Sequence, residues 1–546
     1  MMIPNGTEVW GESQKGSYNL GVSRGFSTNN EAMLLAAQKV SDFNFEGMVG
    51  ASFRYSQDEG IESRSRGGLS IPGFYSLKAS IDPVLVASNI YRKQTNSVYG
   101  RLAVDWKDML FVEATFRNDW TSTLSAAQRS YFYPSVSGSF LVSEVLPKTD
   151  WLSFWKLRSS WVTSKKTAGI YTINNVYSIT NAAWGTLSTA NYPTSIRSND
   201  IFPESTSTIE IGSALNLFKN KVSLDVAYYS KDMFDFIKSA SVSSASGFST
   251  NYLNIDEVRT RKGIEIALDV TPIKTKDLQL DLNFNWTTSK TVYAKLDSLY
   301  SGDKPWIKEG ARTDYYLIRD YLKDPAGNIV HNASGLPLFS GYDSNYGFSD
   351  PNYIWGLGAN LRYKNWQLGI SVDGRVGGLA QTITEMYMWR SGSHPNSVVP
   401  ERYLDATVAG SKNYLGEGVK VVSGTATYDT YGNITSDNRV FAPNDVKTTY
   451  KSYIETYHKG TAWGGAPSPV DLYDATFFKI REVSLTYNLP RTITKSLSMN
   501  DVSVSAIAQN VFLWAKQFKY SDIDGGSENF SDPSQRYIGF NLKVSF

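Results

Sequence analysis

The chain has 546 residues, more than one ordinary soluble core of about 250–300 residues accommodates, and no Pro-rich, Ser/Gly-rich or charge-rich linker divides it. A net charge of +2 argues against a nucleic-acid footprint, and the absence of cysteine removes zinc-thiolate sites, disulfides and cysteine nucleophiles. No segment approaches the ~18 unbroken apolar residues of a membrane helix, yet 41% hydrophobic and 14% aromatic residues suit a membrane barrel, whose strands carry a polar inner face.

In chain order, the start Met1-Met2-Ile3-Pro4-Asn5-Gly6 has neither the charged nor the apolar region of a secretory signal, so a mature, truncated or late fragment is expected. From about residue 45 onward, apolar and polar residues alternate in runs of roughly ten, the period of a strand and not of a helix. Leu110, Val112, Ala114 and Phe116 alternate with Glu113, Thr115 and Arg117; Val222, Leu224, Val226 and Tyr228 alternate with Ser223, Asp225 and Tyr229. Ile264, Ile266, Leu268 and Val270 form the next run. The clearest is 278–287, where Leu278, Leu280, Leu282, Phe284 and Trp286 face one way and Gln279, Asp281, Asn283, Asn285 and Thr287 the other. Trp366, Leu368, Ile370 and Val372 follow, then Val483, Leu485, Tyr487 and Leu489.

Connections alternate in length. Short ones fall at 107–108, 144–151, 218–220, 271–277, 364–365 and 490–500; long ones at 163–207, 232–260, 289–352, 375–475 and 512–536. A soluble sandwich alternates along its strands but has no reason to keep that parity, whereas an outer-membrane barrel sets short periplasmic turns against longer external loops. The pattern predicts an all-β, transmembrane antiparallel barrel spanning 1–546. About 14–16 strands are expected, the region before residue 45 being the least defined. The C-terminus lies on the periplasmic side and 375–475 forms the largest extracellular loop. Aromatics near strand ends, among them Trp106, Tyr133, Trp155, Trp286, Tyr363, Trp366 and Tyr487, fit girdles at the two membrane interfaces.

The last strand, 537–546, is apolar at every second residue back from the end: Phe546, Val544, Leu542, Phe540 and Ile538. It resembles the terminal assembly signal of bacterial outer-membrane proteins. Several blocks resemble the SusC/RagA family of TonB-dependent importers of Bacteroidetes: Ser97-Val98-Tyr99-Gly100-Arg101-Leu102, then Arg117-Asn118-Asp119-Trp120-Thr121-Ser122, where the family reads Asp-Gly-Ser-Ser. Others are Tyr133-Pro134-Ser135, Leu217-Phe218-Lys219-Asn220, Thr260-Arg261-Lys262-Gly263-Ile264-Glu265, Phe478 to Pro490 and Ala508-Gln509-Asn510-Val511. In order and spacing they cover about residues 45–546. The resemblance implies a barrel of about 22 strands, of which this chain supplies part. It also implies an N-terminal plug with a TonB box, neither found in this chain, and a SusD-like surface lipoprotein as lid. Outer-membrane uptake of a bulky nutrient is then expected, an oligosaccharide first and an oligopeptide second. A passive porin-like or structural barrel and a soluble glycan-binding β-protein are the other readings.

No catalytic signature is present, and no enzyme activity or cofactor is expected. His331, His394 and His458 are far apart and lack ligand spacing, so they read as surface-loop residues. Asp522-Ile523-Asp524-Gly525-Gly526-Ser527-Glu528 offers hard oxygen ligands for calcium without EF-hand spacing; a solvated loop is the plainer reading. Glu113, Arg117, Lys156, Arg158, Glu210, Asp225, Glu265 and Asp281 are expected to line the lumen and pair with one another. Trp184, Trp306, Trp389 and Trp463 are the candidate substrate contacts, since loop indoles can stack on sugar rings.

Overall fold

A computed structural model describes residues 2–3, 15–185, 187–458, 467–496, 498–525, 528 and 534–546, the side chains of 2–3 and 181–184 excepted. The chain forms two compact units, one of residues 1–140, 159–209 and 232–258 and the other of 141–158, 210–231 and 259–546.

One sheet of 16 strands dominates, and each strand neighbours the next in sequence. The strands are β1 (Met2–Ile3), β2 (Ser17–Val40), β3 (Phe43–Leu69), β4 (Ser80–Trp106), β5 (Leu110–Thr121), β6 (Ser130–Leu141), β7 (Leu152–Lys166) and β8 (Glu204–Leu217). They continue as β9 (Val222–Phe234), β10 (Val258–Lys274), β11 (Leu278–Lys295), β12 (Tyr353–Tyr363), β13 (Trp366–Val376), β14 (Phe477–Asn488), β15 (Asp501–Ala515) and β16 (Tyr537–Ser545). The strand count and the alternation of short and long connections match the sequence reading.

The tightest turns, Ser41-Asp42 and Lys364-Asn365, close hairpins whose last pairs are Val40↔Phe43 and Tyr363↔Trp366. Ser41 and Lys364 take φ of 53° and 52°, as a right-twisted two-residue hairpin turn requires. At the turn before β5, Lys107 and Asp108 both have positive φ, and Asp105 Oδ1 accepts from Asp108 N at 2.8 Å.

Register confirms the two faces. Phe43, Phe45, Val49, Ala51 and Phe53 pair with Trp106, Val104, Gly100, Val98 and Asn96, and β4 pairs onward with β5 so that Leu102 meets Ala114 and Val104 meets Val112. This face is apolar and left open: Val49, Leu102 and Phe116 are 56%, 54% and 45% exposed, which lipid would cover. The opposite face carries Arg101 between Glu46 and Glu113, at 3.1 and 2.8 Å, and Arg117 beside Asp119 at 2.8 Å. Gly50 leaves room there for the Tyr99 ring, whose hydroxyl bonds Glu31.

Several strands far exceed the ten residues expected. β3 and β4 have 27 residues each, about 90 Å at ~3.3 Å per residue, against the 9–11 that span a bilayer. Ladder β3–β4 runs from Phe43↔Trp106 to Leu69↔Ser80, whereas β5 pairs only with 95–106 of β4. In β3 mostly polar residues continue the ladder past the apolar band, and in β4 the run Val84-Leu85-Val86 breaks the period of two, so hydrophobic period alone did not mark the ends.

Candidate functional site

The long connection 377–476 folds into a module with helices α1 (Ile383–Ser391), α2 (Pro400–Thr407) and α3 (Tyr450–Tyr457). Thr449 caps α3, its hydroxyl accepting from Ser452 N at 3.0 Å. Spacing i, i+3, i+4, i+7 then places Tyr450, Tyr453, Ile454 and Tyr457 on one stripe. That stripe packs with Leu336, Trp389, Val399 and Tyr414 into a small core. α1 ends on Gly392 at φ 74°, and the Glu528 carboxylate accepts from Thr384 N at 3.0 and 3.1 Å near its start.

Between α1, α3 and segment 516–520 lies a cavity of about 930 Å³, inside the larger unit. Tyr414, Tyr450, Tyr457, Tyr473 and Tyr520 line it, with Trp389, His394 and His458. Its volume falls within the ~300–1,000 Å³ of ligand sites. Burial pushes the Tyr414, Tyr450 and Tyr457 hydroxyls up, and those of Tyr453 and Tyr473 further, so all five are neutral donors.

The histidines correct the sequence reading: all three are buried, His394 and His458 within this module and His331, from the connection before β12, against it, at 2%, 4% and 2% exposure respectively. His394 Nε2 lies 3.2 Å from Glu385 Oε1, and His458 Nδ1 2.7 Å from Asp471 Oδ1. Burial raises the Asp471 carboxyl, an effect His458 partly offsets, and Asp471 Oδ2 is buried without a hydrogen bond. His331 stacks on Tyr453 at 5.8 Å with Nε2 3.3 Å from its hydroxyl, and burial pushes its imidazole down. Trp389 stacks near-parallel with His394 at 3.9 Å and His458 at 5.2 Å. Residues 394 and 458 share no sequence signal; the fold of one loop brings them to one indole.

The acidic stretch is not the solvated loop expected from sequence. Lys479 Nζ lies 3.1 Å from Asp522 and from Asp524 and 2.5 Å from Ser534 Oγ. Arg481 grips Asp524 and Asp373. Ile523 is fully buried with Ala475, Phe477 and Phe518. These carboxylates are neutralised by lysine and arginine, not gathered around an ion, and among the described residues no metal-binding group is found. Burial pushes the Asp522 carboxyl up, but hydrogen bonds from Ser534, Asp524 N and Lys479 bring it down to about 2.

On the sheet, Arg158 holds Asp225 in two bonds of 2.7 and 2.8 Å and lies 3.6 Å from Glu210. Glu265 and Asp373 join them around a cavity of about 520 Å³. Asp281 accepts from Thr271 and Gln279. Of the eight lumen charges expected to pair with one another, Arg158, Asp225 and Glu210 do so, whereas Glu113 and Arg117 pair with Arg101 and Asp119.

Of the candidate indoles, only Trp389 lines the large cavity, and its ring is already stacked by two imidazoles. Trp306 packs against Tyr315 at 6.2 Å, elsewhere in the loops. Trp184 ends the strand Ser178–Trp184, where only its backbone is described, and Trp463 lies outside the described residues. Sequence reasoning missed Tyr414, Tyr473 and Tyr520, which come from separate stretches with no shared motif; the Tyr450, Tyr453, Tyr457 spacing was a signal available for α3. At the end of the chain, Phe540, Leu542 and Val544 pair with Ala506, Val504 and Val502 of β15, while Phe540 and Phe546 are 83% and 85% exposed.

A meandering antiparallel sheet with an open apolar face, ion-paired polar face, short turns and long folded loops is an outer-membrane β-barrel architecture. The family model described as TonB dependent receptor-like, beta-barrel matches residues 6–381, and the chain belongs to that family. It is 22% identical to TonB-dependent receptor P26 of Formosa agariphila over 95% of this chain and 53% of that protein. It is 24% identical to TonB-dependent receptor SusC of Bacteroides thetaiotaomicron over 50% of this chain and 30% of that one. The structure of the RagAB peptide transporter superposes with a TM-score of 0.69 at 16% identity, covering 97% of this chain and 56% of the other. The chain spans about half the length of the curated relatives it matches over most of its own length. The family match makes this chain a TonB-dependent receptor β-barrel, and the likeness to the RagAB transporter agrees with that fold.

Proposed function

We propose that this barrel belongs to a TonB-energised importer of a bulky nutrient, an oligosaccharide first and an oligopeptide second. The observation that carries this is the tyrosine-lined cavity of about 930 Å³, built by extracellular loops of a TonB-dependent receptor barrel. Trp306 and Trp389 remain candidate contacts at the loops. A SusD-like lipoprotein would close over them, and a plug-bearing segment outside these 546 residues would couple to TonB. Strands β1 and β16 stand at the two ends of the sheet order. An open strand edge in lipid leaves backbone groups unsatisfied at several kcal/mol each, which further strands would relieve. Phe540, Leu542, Val544 and Phe546 would serve as the terminal signal read during assembly.

Purification from outer membranes in mild detergent, with mass spectrometry of what stays bound, tests this. A plug-bearing segment and a lipoprotein should co-purify. A lone detergent-dependent barrel would favour a passive porin, and a detergent-independent species would sink both.

A further inference from the structure

We infer that the loop cavity is a subsite for a neutral pyranose segment, with Tyr520 as its free stacking face; this rests on the glycan reading of the cargo. Trp389, the obvious indole, is engaged by His394 and His458 and forms wall. Tyr520 is different: it lines the cavity, is 39% exposed, and meets His394 only by an edge contact at 5.1 Å. Among the described residues no ring stacks on it, which leaves Tyr520 as the aromatic available to pack against the apolar face of a sugar.

The charges select against an acidic ligand. Glu385 is paired to His394 at 3.2 Å and Lys516 to Asp474 at 2.6 Å, and the exposed Glu417 and Lys519 on the lining oppose one another in sign. Among the described lining residues the two lysines, Lys516 and Lys519, are matched in number by Glu385 and Glu417, so the cavity carries no excess of positive charge for a uronate or sulfate. Neutral tyrosine hydroxyls and the Glu417 carboxylate instead offer donors and acceptors matched to sugar hydroxyls.

The test is calorimetric titration of the native detergent-solubilised complex with three probe sets. The first contains neutral gluco-, manno-, xylo- and galacto-oligosaccharides of six to seven units; the second, oligogalacturonates; the third, a mixture of decapeptides. At least one neutral glycan should bind. Tyr520→Ala should weaken it about tenfold or more, as for a central aromatic anchor, while Tyr403→Ala on the outside of α2 changes nothing. Heat-modifiable gel migration confirms that each variant is folded. A neutral glycan bound equally well by Tyr520→Ala overturns the subsite and leaves the glycan reading standing. Binding only of oligogalacturonate overturns the neutral assignment, and binding only of peptides, or of no glycan, overturns both.

Discussion

Replacing Lys479 with Met should release residues 518–525 from the wall of the barrel. The Lys479 side chain is 2% exposed, and its ammonium lies 3.1 Å from each of two carboxylates. Removing one partner of a buried ion pair costs about 3–5 kcal/mol, because the remaining charge is stranded. Here Asp524 keeps Arg481, and Asp522 keeps hydrogen bonds from Asp524 N at 2.9 Å and Ser534 N at 3.1 Å. Only one charge is left short of a cation, so the lower end applies: about 3 kcal/mol, or roughly a hundredfold more of the open segment. Limited proteolysis in detergent at neutral pH reads this directly, since cleavage follows the open population when closing is fast. Cutting should rise within 518–525 while the barrel remains resistant. Adding Asp522→Asn should restore most of the protection, because no charge is then stranded. Cleavage of Lys479→Met at the wild-type rate, or a double variant no better than the single, would refute the argument. The pH dependence has a definite sign. The Asp522 carboxyl is held at about 2, below its ordinary 3.8, so its contribution is present above about pH 4 and lost as pH falls through 2.

Three other outcomes follow from the same geometry. Leu102→Arg on the lipid face should cost about 2–4 kcal/mol in bilayer unfolding titrations, whereas Ala103→Arg, facing the lumen beside Glu113, should cost little; equal effects would reverse the faces. His458→Ala should loosen α3 by about 2–3 kcal/mol at neutral pH, below the usual range because the Asp471 carboxyl, already raised by burial, can take a proton. That loss grows as pH rises through the raised Asp471 value and is relieved in acid, so hydrogen exchange of 450–457 independent of pH would contradict it. Deleting Phe546 should lower the yield of heat-modifiable barrel in outer membranes by several-fold, and an undiminished yield would remove the assembly role.

The sequence by itself determined the barrel. Side-chain period in a strand is two, so Leu278 to Thr287 could be assigned to two faces without a partner, and connection length separated the short-turn edge of the sheet from its long-loop edge. The strand lengths escaped, because β3 continues past its apolar band with mostly polar residues and β4 passes through Val84-Leu85-Val86, where the period of two is lost, so only the ladder records their pairing. The site was hardly legible. Trp389 was visible as a loop indole, but nothing local says that His394 and His458 will stack on it, or that Tyr520 will face the same space from more than 100 residues away. Likewise Asp522 and Asp524 read as solvated until Lys479 and Arg481, on a strand whose alternation says only which face they share, are seen to reach them. Periodicity is a property of neighbours along the chain, whereas burial and pairing in loops are set by long-range packing, which no local pattern encodes.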